Sequence, residues 1–191
     1  MALNRSRCRP TVAWVFIAVV ALSFRPAVPR AQEGVITRAE ALSAAYPGAT
    51  MTRDRVILTP EQMAAVASIA RVGMQGKIFP RYIAREGETV VGRAYIDTHT
   101  AKTERQSLLI SLDTGGRIKR VDVTVFFEPA QYMAPQHWLR QYDGQVLHEE
   151  LALRRAIRPI AGASFTGRAI SDAVRRVLAL DQVLRDEAVD P

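Results

Sequence analysis

LISLDTGGRIKRVDV, residues 109–123, reads as strand, turn, strand, and it decides the fold class. Leu108, Ile110 and Leu112 alternate with their neighbours and share one face of an extended segment. Asp113-Thr114-Gly115-Gly116 has the composition of a tight turn. Val121, Val123, Val125 and Phe127 then share a face of the returning strand. Working upstream, residues 79–86 and 89–97 alternate in the same way around Glu86-Gly87-Glu88 and form a hairpin. Upstream again are two helix starts. Thr37-Arg-Ala-Glu40 and Thr59-Pro60-Glu61-Gln62 are capping boxes, the second with proline at the first helical position. The first helix stops at Tyr46-Pro47-Gly48 and the second near Arg71. Downstream, Pro129 and Pro135 break regular structure, and a short helix carries Trp138, Leu139 and Tyr142. From about residue 167 to 187 an amphipathic helix presents Ile170, Ala173, Val174, Val177, Leu180 and Leu184 as one stripe. The order α, β-run, α predicts an α+β domain, an antiparallel sheet with helices on one side.

Composition narrows the class. Of 191 residues, 48% are hydrophobic and 24% charged, which is ordinary for one globular domain. A single cysteine, Cys8, excludes a disulfide framework and a zinc–cysteine cluster. Only one run is continuously apolar, so a polytopic membrane protein is excluded as well. That run, residues 11–24, follows a basic NRSRCR stretch and precedes small residues ending at Ala31. It has the length of a secretory h-region and is short of the roughly 20 residues of a membrane span. Residues 1–31 are therefore read as a signal peptide, or as an N-terminal anchor held in the membrane by residues 11–24. Either way residues 32–191 are expected in the periplasm or on the outer face of the cytoplasmic membrane. All five charges of residues 1–31 are arginines, and without them the formal net charge of +7 falls to +2. The basic balance belongs to the leader and does not point to nucleic acid. The remainder divides into a helical segment, 32–76, and the sheet-bearing domain, 77–191.

Most polar residues suggest no chemistry. No two histidines stand at metal-ligand spacing, and no GxSxG, GxxxxGK[ST] or GxGxxG is present. Asp97 with His99 is read as a turn between strands rather than a site, and His148-Glu149-Glu150 as a solvated loop. Arg117, Lys119 and Arg120 fit the wet face of a sheet, and Arg175-Arg176 the wet side of the last helix.

Residues 157–174, IRPIAGASFTGRAISDAV, do not fit so plain an account. Gly162 and Ala163 are small. Ser164 and Thr166 bring two hydroxyls around the apolar Phe165, and the long helix follows at once. A helix start leaves amide donors unpaired, carries partial positive charge and stabilises an anion such as phosphate. A plain N-cap accounts for one hydroxyl and does not call for the rest.

The stretch AGASFTGRAISDAV resembles the signature of the FMN-binding domain family. That family includes the G subunit of the Rnf electron-transport complex and the C subunit of the sodium-translocating NADH:quinone reductase. Its pattern is Ser-Gly-Ala-Thr, a hydroxyl residue, and an Ala-Val helix start. Gly162 and Ala163 match the Gly-Ala, Ser164 takes the position of the flavinylated threonine, and Thr166 is the hydroxyl two residues on. Upstream, the strand-turn-strand, Glu128-Pro129, Trp138 and Tyr142-Asp143-Gly144 follow in the family's order, so the resemblance spans about residues 88–187. In the family a separate flavin transferase joins the hydroxyl to the FMN phosphate as a phosphodiester. Where the family has an aspartate, six residues before the acceptor, this chain has Arg158, whose guanidinium suits phosphate geometry. The family's Glu-Thr-Pro-Gly is here Glu128-Pro129-Ala130.

The resemblance implies FMN as cofactor, a flavin transferase and a membrane redox partner protein as partners, and electron transfer as the activity. Ser164 would carry the phosphate, with Gly162, Ala163, Thr166 and Arg158 around it. Phe165, Phe127 and Trp138 are candidates to flank the ring, and Glu128 to bond the ribityl chain or ring. Two other readings stand beside it. One is a periplasmic module that has lost the flavin, for which Arg158 speaks. The other is a flavin-dependent reductase of a soluble substrate, which needs a proton donor that the sequence does not single out.

Overall fold

In the computed structural model, residues 34–189 are described. The leader or anchor expected in residues 1–31 lies outside them. Among the described residues, four α-helices and five strands follow in the order α1 (Arg38–Ala45), β1 (Thr50–Ile57), α2 (Pro60–Ala70), β2 (Ile78–Glu86), β3 (Thr89–Thr100), β4 (Arg105–Leu112), β5 (Ile118–Phe126), α3 (Gln136–Leu139) and α4 (Ser164–Val189). The strands form one antiparallel sheet in the order β1-β2-β3-β4-β5. This is the α+β single domain that the pattern of elements predicts. No helix among the described residues is long and apolar enough to cross a membrane.

Both capping boxes form. Thr37 Oγ1 accepts from the Glu40 amide while the Glu40 carboxylate accepts from the Thr37 amide, and Thr59 and Gln62 repeat the arrangement. α2 stops where Arg71 turns into the left-handed region at φ 54°.

The sheet is buried on both faces near its centre. Leu108, Ile110 and Leu112 of β4 meet Val66, Trp138, Ile170, Val174 and Val177 on the face covered by α2, α3 and α4. On the opposite face Leu109 and Ile96 meet Ala41, Leu42 and Tyr46, so α1 and the residue that ends it cover that side, and the helices are not confined to one face as expected. The Tyr46 hydroxyl reaches the backbone carbonyls of Arg93 and Leu112 at 2.7 and 2.8 Å. Gly92 makes this possible. A Cβ there would stand 2.5 Å from the Leu112 carbonyl oxygen and would strike the Tyr46 ring. Gly92→Ala is expected to cost about 1–3 kcal/mol by overpacking, read as a lowered midpoint in urea unfolding. A loss below about 0.5 kcal/mol would show that the Tyr46 latch is loose.

Three further expectations are corrected. Residues 34–76 are not a separate helical segment: β1 adds an edge strand to the same sheet and α2 packs along α4. β1 (TMTRDRVI) went unread because only Val56 is buried, so no period-two pattern is written in it. Its Arg53-Asp54-Arg55 charges suit a free sheet edge. The opposite edge is covered, with the Ile36 amide donating to Val123 O and the Gly144 amide to Ile118 O. The second correction is Phe127, which is 62% exposed, while Phe126 is buried. Ser107 faces Val125 but Leu108 faces Val123, so Thr124 is a bulge that flips the alternation. The third is Arg175-Arg176, which is buried. α4 lies between the sheet and α2, so its middle turns are covered on two sides and its polar residues must find partners inside. Arg175 donates from Nε to Ala70 O at the end of α2 (2.7 Å) and from Nη1 to His148 O (2.8 Å).

A polar ladder ties α4 to β3. Arg93 Nε and Tyr95 Oη donate to Asp181 Oδ1 at 2.6 and 2.9 Å. Two residues further along the same face, Arg176 Nε and Nη2 donate to Asp97 Oδ2 and Oδ1 at 2.7 and 3.0 Å. These pairs fix the register of the helix on the sheet, and so the position of its first turn.

Candidate functional site

That first turn sits where the 127–163 segment returns to the sheet. Trp138 Nε1 donates to Arg158 O at 2.7 Å and Gln141 Oε1 accepts from the Arg158 amide at 2.9 Å, which holds the approach. Gly162 then adopts φ +75°, a left-handed conformation that favours glycine. Open space surrounds it, with nothing within 4 Å of where a Cβ would be. The Ala163 carbonyl accepts the first helical bond, from the Gly167 amide at 3.0 Å, which makes Ala163 the N-cap residue. Ser164 is the first residue inside the helix. It is exposed, and the cap position belongs to its neighbour. The amides of residues 164–166 precede the first helical bond and are the donors that helix geometry leaves over.

Gly162, Ala163, Phe165 and Thr166 line a cavity of about 160 Å³ together with Glu128, Lys102 and Tyr132. Five of the seven residues expected from the sequence thus meet around one cavity, with Ser164 in the chain between Ala163 and Phe165. Arg158 does not join them. It is exposed and lines a different depression with Trp138 and Gln141. Of the three candidate ring neighbours only Phe165 lines this cavity, with 62% of its surface exposed and Lys102 Nζ 5.7 Å from its ring centroid. Trp138 is core: its ring meets Tyr142 edge-on at 5.8 Å. Phe127 is exposed at the end of β5 and is not among the lining residues.

Glu128 has a task of its own. Its Oε1 accepts from the amides of Lys102, Thr103 and Glu104 at 3.2, 2.7 and 2.9 Å. These backbone bonds, that of Thr103 first, hold the carboxyl below its ordinary pKa. Glu128 therefore clamps the β3–β4 loop, and that loop brings Lys102 to the cavity rim. Lys102 and Tyr132 were missed because each is an unremarkable loop residue until the chain is folded.

On the other side of Phe165 lies a second cavity, of about 250 Å³, lined by His99, Arg168, Asp172 and Arg176 among others. Here the reading of Asp97 and His99 as a turn is corrected. β3 runs on to Thr100, so both residues lie inside the strand and point to the same face. His99 Nδ1 is 2.8 Å from Asp97 Oδ1. Burial works to raise the Asp97 pKa, but the bonds from His99 and Arg176 outweigh it and leave the carboxyl below its ordinary value. Among the described residues no group of three metal-ligating side chains occurs.

Comparison with protein-family models and with curated proteins finds no match to this chain.

Proposed function

We propose that the chain binds FMN at the start of α4 and serves as an extracytoplasmic electron carrier, with the flavin joined through its phosphate to Ser164. The observation that carries this is the convergence of Gly162, Ala163, Phe165, Thr166 and Glu128 on one cavity, beside an exposed Ser164 hydroxyl that is not used as a helix cap. The donor set suits a phosphate: amides of residues 164–166 at the positive end of a 26-residue helix, with the Lys102 ammonium on the rim. The exposed rings of Phe165 and Tyr132 offer apolar surface at the mouth for a flat ring. The enclosed space is below the 300–1,000 Å³ usual for ligand pockets, so the ring would lie across the open rim.

A bound flavin supplies the electron chemistry itself. The chain's share is to hold the phosphate end with residues 163–166 and Lys102, and to shield one side of the ring with Phe165. A transferase makes the bond to Ser164, and a membrane redox partner protein delivers the electrons. The leader supports export, and attachment keeps a dilute cofactor from being lost there. Titrating flavin-free protein with FMN is expected to quench flavin fluorescence, and Phe165→Ala to weaken binding on the order of tenfold. No quenching by the wild type at millimolar FMN would count against the binding itself.

A further inference from the structure

Three large aromatic side chains are exposed among the described residues, Phe127, Tyr132 and Phe165, and all three stand at one end of the sheet. Strand register gathers that end. Thr100, the last residue of β3, pairs with Arg105, the first of β4, and the Phe127 amide donates to Arg105 O at 3.1 Å. Glu128 clamps the loop between β3 and β4, and Lys102 of that loop lies over the Phe165 ring at the start of α4. Tyr132 lines the same cavity as Lys102 and Phe165. Cations stand among the rings. Lys102, Arg105 and Arg168 are exposed, against one exposed carboxylate in these segments, Glu104. Arg168 lies one helical turn after Phe165. Glu128 is buried and held by the loop amides, and Asp172 is half-buried. Exposed rings gathered with cations mark a surface that meets something other than water.

The point at which the chain enters the domain favours one occupant. Gly34 is the first described residue, and a Cβ on it would stand 2.6 Å from Met133 Cε. Met133 follows directly on the turn Ala130–Tyr132. The chain that leads back to the apolar residues 11–24 therefore leaves the domain beside Tyr132. We propose that this end of the domain is a membrane-facing surface that rests on a bilayer containing anionic lipid. Phe127, Tyr132 and Phe165 enter the headgroup layer, where aromatic rings are favoured, and Arg105 and Arg168 meet lipid phosphates. The inference rests on the reading of residues 1–31 as a signal or anchor, and it uses no property of the flavin. It turns the open rim of the first cavity toward the membrane, where the proposed function places the redox partner.

The test uses the full chain with Cys8→Ser and a nitroxide on Gln131→Cys, an exposed position beside Tyr132 that leaves all three rings in place. Val146→Cys carries the control label. It is exposed beyond the other end of β5, where the Gly144 amide donates to Ile118 O. In vesicles of phosphatidylglycerol and phosphatidylethanolamine, the rim label is expected to collide severalfold more with oxygen than the control label, and less with a water-soluble nickel chelate. Vesicles of phosphatidylcholine alone should return the rim label toward water. Arg105→Gln with Arg168→Gln, or Phe127→Ser, should do the same in the anionic vesicles. A rim label as open to the nickel chelate as the control would overturn the proposal, as would one indifferent to lipid charge and to these substitutions. A rim label shielded from both reagents would assign the surface to a protein contact and overturn it too. Hydrogen exchange of the unmodified chain decides even if a labelled variant does not fold. Amides of residues 127–132 and 164–166 should slow when phosphatidylglycerol replaces phosphatidylcholine, and unchanged rates would overturn the proposal. FMN is absent from every arm, so failure here leaves the flavin reading standing, and failure of the flavin titration leaves this one standing.

Discussion

Arg176→Met is expected to destabilise the domain by about 3–5 kcal/mol, the usual result of leaving one member of a buried ion pair unpaired. Arg176 and Asp97 are each 1% exposed. Methionine replaces the volume but none of the donors, so Asp97 loses two charge-assisted bonds and the Gly73 carbonyl loses the one it receives at 3.0 Å. For a domain of this size that is a fall in Tm of roughly 6–20 °C. The effect should depend on pH in a definite sense. The folded-state pKa of Asp97 is depressed, so its contribution is complete above its unfolded value near 3.9 and is lost as pH falls through the lower folded value. In Arg176→Met the bond from His99 stays but the bonds from Arg176 are gone, so less opposes burial and that pKa rises. The gap between wild type and variant should narrow as the solution is acidified, because the variant's carboxyl takes its proton first. Adding Asp97→Asn to Arg176→Met should recover part of the loss by removing the stranded charge. Denaturant midpoints at neutral and acid pH measure all of this. A gap under about 1 kcal/mol at neutral pH would mean that the pair does not fix α4 on β3.

The other large effect is on the proposed flavin. Ser164→Ala is expected to abolish denaturation-resistant flavin entirely and to leave stability within about 0.5 kcal/mol of the wild type, as at other exposed positions. The structure separates the two effects because Ser164 is exposed and the cap position belongs to Ala163. Ser164→Thr keeps a hydroxyl at the same place and should restore attachment. Thr166→Val should leave attachment in place, since Thr166 is 3% exposed and presents little of its hydroxyl to a transferase. Flavin that survives denaturation in Ser164→Ala but not in Thr166→Val would move the acceptor two residues on. All four proteins have to be exported from a cell that makes the transferase, because an empty protein from any other cell says nothing about the acceptor.

Elements whose burial is periodic were legible, and elements whose burial depends on distant partners were not. β4 and the turn at Asp113–Gly116 could be read from Leu108, Ile110 and Leu112 because each faces the core along one strand. The long helix could be read from Ile170 to Leu184 for the same reason. β1 could not, since an edge strand with one buried side chain carries no alternation. The Thr124 bulge was invisible because a one-residue register shift leaves composition unchanged, and it exchanged Phe126 for Phe127. At the site, the Gly162–Thr166 stretch stood out locally, because small residues, two hydroxyls and a helix start are neighbours in the chain. Asp97, His99 and Arg176 are separated by up to 79 positions, and only folding makes them one group. Asp-x-His within a continuing strand was the available clue, since residues two apart on a strand share a face. It was lost when the strand was ended at Asp97.

The proposed function stands on a flavin nucleotide held at the start of α4. Mass spectrometry of the denatured protein, purified from its own cell envelope, tests it most directly when paired with the visible spectrum of the same sample. A yellow protein is expected, with a mass that exceeds that of the exported chain by one FMN less one water and the added mass on the peptide that contains Ser164. A colourless protein at the bare polypeptide mass, unable to take up added FMN, would contradict it.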